Sequence, residues 1–326
     1  MATRNGLRRS LLYIPGSSQR FIDKSRTLSA DCVAYDLEDS VTPHKKVEAR
    51  GLVRRALDQP APEGIRERAV RINSVDSGLA LGDLTEVLHS PNLSTIVLPK
   101  VNSASDLTFV TDVISHTLSQ QQQGQQGQQG QQRPPISLLA LVESAKSLTN
   151  LTQICSASPL LQGLIFAAED FALDLSLTRT PTLTEFLFAR SMIATAARAA
   201  NLPSTIDLVC TAYKSTTGDG RPPAALEEEC RGGKYLGFNG KQCIHPSQVE
   251  TVERIFGPED SEVVWAVRVK IADEKAAASG RGAWTLDGKM IDVPVAEKAR
   301  AIVKKAEACG FNVHELREKW QHQEPE

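Results

Sequence analysis

The 326-residue sequence has no apolar run long enough to cross a bilayer. Its longest hydrophobic stretches are strand-sized and broken by charge, well short of the roughly 20 residues a membrane helix needs. No membrane partner is expected. Positive charge is not in excess either. Lys and Arg number 37 against 39 Asp and Glu, a formal net charge of -2, so no global field exists to hold a polyphosphate backbone, and nucleic acid is not an expected partner. The six cysteines, at 32, 155, 210, 230, 243 and 309, include no CxxC pair and no Cys/His group at zinc spacing. They read as reduced thiols in a reducing compartment. No GxGxxG follows the first apolar segment, which removes the usual sign of a dinucleotide-binding sheet. The first nine residues carry Arg4, Arg8 and Arg9 and no acid, but a strand-like run begins at once and leaves little room for a presequence. Cytoplasm is favoured over mitochondrial matrix.

What is present is enough for a full core, with 41% hydrophobic and 23% charged residues. Eight short apolar runs recur, over Leu11 to Ile14, Cys32 to Leu37, Ala69 to Ile72, Thr95 to Leu98, Ser137 to Val142, Gly163 to Ala168, Thr205 to Val209 and Lys241 to Ile244. Between them lie segments with helical spacing, such as Lys45 to Leu57, Ser105 to Leu118, Ser144 to Cys155 and Leu183 to Ala200. Strands apolar on both faces, alternating with helices, predict parallel pairing. The simplest closure is an α/β fold of the (β/α)8 TIM-barrel type, with an open doubly wound sheet as the rival.

Two polar tracts interrupt this pattern. Ser119 to Gln132 has no apolar group to bury and reads as a disordered insertion before the fifth strand; Ser215 to Pro223 reads as a loop after the seventh. Beyond Pro258 come a long amphipathic stretch (Glu262 to Ala278), a Gly-rich turn, the segment Thr285 to Pro294 and a last helix from Val295 to Cys309. None of this is needed to close a barrel, so residues 1–258 are read as the barrel and 259–326 as a C-terminal helical lid.

In such a barrel, chemistry belongs at the carboxyl ends of the strands. There the sequence places Asp36, Glu38 and Asp39, then Arg71 and Asn73, Lys100, Glu143, and Glu169 with Asp170. Alternation puts Leu139, Leu141 and Glu143 on one face, and Phe166, Ala168 and Asp170 on one face of the next strand. Two carboxylates, Glu143 and Asp170, then meet at the barrel mouth. Either a hard divalent cation such as Mg²⁺ separates them, or Arg and Lys partners neutralise them. Arg71 has two readings as well: an ion pair with Asp36 or Glu38, or a planar fork for a carboxylate or a developing enolate oxygen.

The segments RRSLLYIPGSSQRFIDK (8–24), YDLEDSVTPHKKVEAR (35–50), VRIN (70–73), VLPKV (97–101), ALVESA (140–145), AAEDFALDL (167–175) and GFNGKQCIHPSQV (237–249) resemble the citrate lyase β-subunit-like group of the HpcH/HpaI aldolase superfamily, across nearly the whole chain. The resemblance implies a (β/α)8 barrel and a Mg²⁺-dependent carbon–carbon lyase, with Mn²⁺ as a substitute metal and coenzyme A as part of the substrate. The implied substrate is a small-molecule CoA thioester of the citramalyl-CoA or malyl-CoA type. Thioesterase or malate-synthase-like activity in the same pocket, or a carrier-dependent, non-catalytic subunit, are the alternatives. Glu143 and Asp170 match the metal carboxylates, Arg71 the substrate arginine, and Tyr13, Arg20 and Lys24 the positions that hold CoA. His245 either lines the thioester pocket or serves a structural role. DGKMIDVP (287–294) resembles the lid of eukaryotic citramalyl-CoA lyase-like proteins, where an Asp is the acid/base of a neighbouring subunit; Asp292 occupies that place, and its alternative role is to cap the last helix. A homo-oligomer, trimer or hexamer, is therefore expected.

Overall fold

The computed structural model describes residues 6–124, 135–214 and 223–326. These divide into two compact units, residues 8–253 and residues 6–7 together with 254–326. In the first unit eight strands form a closed parallel barrel in sequence order: β1 (Ser10–Pro15), β2 (Ala30–Asp36), β3 (Ile65–Arg71), β4 (Thr95–Leu98), β5 (Ser137–Val142), β6 (Leu161–Phe166), β7 (Ser204–Asp207) and β8 (Gly240–Cys243). Each of the eight apolar runs in the sequence is one of these strands. The helices between them are α1 (Gln19–Ser25), α2 (Lys46–Asp58), α3 (Ala80–Val87), α4 (Ala104–Gly124), α5 (Ala145–Thr149), α6 (Leu151–Ser156), α7 (Ala168–Leu175), α8 (Leu187–Ala199) and α9 (Ala224–Tyr235), followed by α10 (Val249–Phe256).

The strands close because both faces are apolar. Leu11, Cys32, Ala34, Ala69, Val97, Leu139, Leu141, Ile165 and Ile206 fill the barrel interior, while the intervening residues pack outward under the helices. On β2 this leaves every residue buried. The seam between the last and first strands depends on a missing side chain. A Cβ on Gly240 would lie 1.9 Å from the carbonyl oxygen of Arg8, so only glycine lets β8 approach β1 closely enough for the parallel pairing of Leu11 with Gln242.

Three expectations are corrected here. The sixth strand stops at Phe166, and Phe166 turns outward to pack edge-on against Phe171 and Phe186, with ring centroids 5.3 and 5.7 Å away. Ile165 is the inward residue, so Asp170 does not continue the strand's alternation; it lies on the first turn of α7. The stretch 144–155 is two helices broken at Asn150 rather than one. Helix α4 runs on to Gly124, so the Gln/Gly tract begins as helix; its remainder, and nearly all of the loop 215–223, lie outside the described residues, except that Pro223 caps α9.

The second unit contains α11 (Asp260–Ala278), a hairpin of β9 (Trp284–Leu286) and β10 (Lys289–Ile291), α12 (Val293–Ala308) and α13 (Val313–Lys319). Val263, Val267, Trp284, Ile291, Ala299 and Val303 belong to its own core. The hairpin turns on Asp287 and Gly288, both with positive φ (50° and 72°), as a two-residue turn matched to strand twist requires. Arg268 holds Asp287 through two hydrogen bonds of 2.7 and 2.8 Å.

Gly240→Ala should destabilise the protein by about 2 kcal/mol or more in denaturant unfolding, because the added methyl forces β8 away from β1. Stability equal to wild type would contradict this account of the closure.

Candidate active site

At the carboxyl ends of the barrel strands a cavity of about 450 Å³ opens, lined among others by Tyr13, Asp36, Asp39, Arg71, Glu169, Asp170 and Gln242. Arg71 is its best-anchored cation. Its Nε and Nη2 donate to the two carboxylate oxygens of Asp36 at 2.7 and 2.8 Å, and its Nη1 lies 3.2 Å from Glu38 and 3.4 Å from Asp39. The register that pairs Asp36 with Arg71 across β2 and β3 fixes this contact. Underneath, the Tyr13 ring faces the guanidinium at 4.6 Å, and the Tyr13 hydroxyl donates to Gln242 at 3.0 Å. Gln242 in turn donates to the carbonyls of Phe166 and Asp207, which ties the centre of the barrel together. Burial alone would raise the Asp36 carboxyl, but the bonds from Arg71 outweigh it and leave it below the ordinary carboxylate range. Burial likewise opposes charge on Arg71, and its carboxylate partners overcome that and push its pKa upward. The ion-pair reading of this arginine is met with Asp36, and Arg71 also lines the cavity.

Glu143 follows β5 directly and is 6% exposed. Its Oε1 accepts from the backbone N–H of Lys100. Burial, followed by repulsion from Glu38 and Asp170, outweighs that bond and raises the Glu143 carboxyl to about 8. No basic side chain among the described residues forms an ion pair with Glu143 or Asp170 in the structure, so the expectation that these acids are neutralised by Arg or Lys is not met. The donor set is two hard carboxylates near a solvent-accessible cavity, which suits a small divalent ion that keeps most of its coordination for water and substrate oxygens. No three or more His, Cys, Asp or Glu side chains converge as a preformed cage among the described residues, which the same preference does not require.

Glu38 connects the two halves of the site. It lies between Arg71 Nη1 at 3.2 Å and Lys100 Nζ at 2.8 Å. Behind it, Lys46 donates to the carbonyls of Leu37 and Glu38 and to Asn73, each at 2.7 Å, and Asn73 is held by the fully buried Asp83, itself paired with Arg50 at 2.5 Å. Asp83 carries no signal in the sequence, since it lies inside α3, a helix whose short apolar spacing does not announce it. Asn73 was legible only as a polar residue near a strand end.

Of the other expected residues in the barrel unit, Arg20, Lys24 and His245 are not among those lining this cavity. Arg20 and Lys24 are exposed on α1, one turn apart. His245 caps the turn after β8, its Nδ1 accepting from the Ser247 N–H at 3.2 Å while its ring stacks on Tyr213 at 5.1 Å; the neighbouring Ile244 is the one that reaches the cavity. Asp292, in the second unit, is the N-cap of α12 and accepts from the Val295 N–H at 3.2 Å. That bond uses Oδ1. Exposed Met290 and Val293 stand close to Asp292 in sequence.

A parallel eight-stranded barrel with acids and an arginine gathered at its carboxyl rim is the architecture of a barrel enzyme. The HpcH/HpaI aldolase/citrate lyase family matches residues 9–246, and this chain belongs to it. It is 35% identical over 304 residues to citrate lyase subunit beta of Escherichia coli, covering 93% of this chain and 95% of that protein. It is 34% identical over 308 residues to the mitochondrial citramalyl-CoA lyase of Homo sapiens, covering 92% and 85%. Among solved structures it resembles CitE of Mycobacterium tuberculosis in complex with magnesium, acetoacetate and coenzyme A, with a TM-score of 0.69 and 27% identity over 93% of this chain and 99% of that one. No described helix is long and apolar enough to cross a membrane.

A raised Glu143 has a stability consequence. Between the ordinary carboxyl range and about pH 8 the folded metal-free protein holds a proton at this site that the unfolded chain has lost, so stability falls as pH rises through that window. Glu143→Gln removes this contribution. In urea melts without divalent metal, the variant should gain on wild type between pH 5 and pH 8; a constant difference would contradict the assignment.

Proposed function

We propose that this protein is a Mg²⁺-dependent carbon–carbon lyase that cleaves a 3-hydroxy-3-carboxy acyl-CoA, of the citramalyl-CoA or malyl-CoA type, to acetyl-CoA and a 2-oxo acid. The observation that carries this reading is the pair Glu143 and Asp170, which form no ion pair with an Arg or Lys side chain among the described residues, beside a firmly held Arg71, in a chain similar to a citramalyl-CoA lyase. When bound between these carboxylates, Mg²⁺ would supply Lewis-acid stabilisation of the substrate's carboxylate and adjacent oxygen.

The chain's own residues account for the rest. The C3 hydroxyl gives up its proton to solvent water and its O–H electron pair forms the carbonyl of the 2-oxo acid as the C2–C3 bond breaks; that bond's electron pair goes to the thioester carbonyl, leaving the enolate of acetyl-CoA. Arg71, held in place by Asp36, is assigned to that oxyanion; a donor of this kind is typically worth roughly 2.7 to 4 kcal/mol. Asp292 is assigned as the acid that protonates the enolate carbon, and as the base in the synthetic direction. Capping α12 fixes its backbone and leaves Oδ2 for this exchange. We assign Asp292 to the site of a neighbouring subunit in a homo-oligomer, with Arg20 and Lys24 contributing charge for the CoA phosphates.

A second reading is favoured by the similarity to citrate lyase subunit beta: a subunit whose acyl group arrives on a carrier. Incubation of the purified protein with Mg²⁺ and citramalyl- or malyl-CoA separates the two. The lyase gives acetyl-CoA with pyruvate or glyoxylate. Free CoA with the hydroxy acid would instead mark a thioesterase, and no turnover of any free CoA thioester would favour the carrier-dependent subunit.

Replacing Glu143 or Asp170 with Ala should abolish Mg²⁺-dependent turnover with little change in thermal unfolding, and Arg71→Ala should lower kcat by about 10²- to 10³-fold. Mixing inactive Glu143→Ala and Asp292→Ala proteins should restore part of the activity through hybrid oligomers. Unchanged turnover in either metal-site variant would reject the site, and absence of recovery in the mixture would place Asp292 in its own subunit's site.

A further inference from the structure

Lys100 follows β4 and has φ +52°, a left-handed backbone conformation that costs an L-residue free energy and gathers at functional sites. Glycine or asparagine is the usual occupant of such a position; here it is a lysine. The conformation has a visible product: it turns the Lys100 N–H toward Oε1 of Glu143. It also has a visible restraint, since the Lys100 ammonium is tied to Oε1 of Glu38 at 2.8 Å. Glu38 in turn is only 8% exposed in its side chain and is held on its other oxygen by Arg71 at 3.2 Å.

Building on the metal site proposed above, we infer that Lys100 is a positioning residue for the metal carboxylate: its side chain, clamped on Glu38, holds the backbone left-handed so that its N–H fixes Glu143 for the divalent ion. The ammonium thus acts through the backbone, and Glu38 joins the metal end of the site to the arginine end. A lysine that merely neutralised nearby acids would need no positive φ.

Three variants separate these ideas. Lys100→Ala loses the clamp but keeps the cost of a left-handed Cβ, so its backbone relaxes and the N–H leaves Glu143. Lys100→Gly loses the same clamp without that cost, so the N–H stays. Glu143→Ala removes the ligand itself. Mg²⁺ is titrated into each metal-free protein by calorimetry, with thermal unfolding followed in parallel. Lys100→Ala should bind Mg²⁺ at least about fivefold more weakly than wild type, while Lys100→Gly stays within about twofold. Equal affinity in Lys100→Ala and wild type, or Lys100→Gly as weak as Lys100→Ala, would overturn the inference. If Lys100→Ala fails to fold, Lys100→Gly decides alone: retained affinity supports the inference and lost affinity refutes it. Wild type that does not bind Mg²⁺, or Glu143→Ala that binds it as well as wild type does, would instead reject the metal site, which keeps the two failures distinct.

Discussion

Two carboxylates near the mouth of a largely apolar barrel cannot both carry charge at low cost unless a cation joins them. Glu143 shows the conflict directly: burial and the neighbouring acids lift its carboxyl to about 8, despite the N–H that Lys100 gives it. A protein that needed only a stable rim would place arginine or lysine against these groups. This one commits the arginine that lines its cavity elsewhere. Arg71 is taken by Asp36 on two of its nitrogens and is shared with Glu38 on the third, and among the described residues it forms no ion pair with Glu143 or Asp170.

The barrel makes that division possible. Parallel strands deliver Asp36, Arg71 and Glu143 to the same rim, while Tyr13 and Gln242 fill the space beneath and tie β1, β6, β7 and β8 together through hydrogen bonds. A second tier, from Lys46 through Asn73 to Asp83 and Arg50, holds the ends of β2 and β3 from outside. Buried charges of this kind are costly to break singly, because each removal strands its partner. The cation that lines the cavity is consequently fixed before any substrate arrives, which is the condition for electrostatic preorganisation.

The strands were legible because residues buried on both faces read as continuous apolar runs, and all eight runs are strands. The helices were less so. Helix α3 is short, and α7 starts one residue after β6 with no turn signal between them, which is why strand alternation was carried too far and placed Asp170 on a strand. Asn150 divides a stretch whose apolar spacing is otherwise continuous, and the Gln-rich tract continues α4 because glutamine is a fair helix former. In the site, charge type and strand position pointed to Asp36, Glu38, Arg71, Lys100 and Glu143. The left-handed backbone of Lys100 had no signal, since lysine is not a residue that marks such a conformation, and the cap formed by His245 depends on Ser247 two residues on. Asp292 as a helix cap was readable from the Val-Pro that follows it.

In the proposed site a divalent ion lies between Glu143 and Asp170. The most direct test is a crystal of the protein grown with Mn²⁺ and measured at a wavelength where manganese scatters anomalously. One strong anomalous peak is expected, with carboxylate oxygens of both residues in its coordination shell at roughly the 2.1 Å typical of a small divalent ion. A map with no peak there, or with the manganese bound by other side chains while Glu143 and Asp170 turn away from each other, would contradict it.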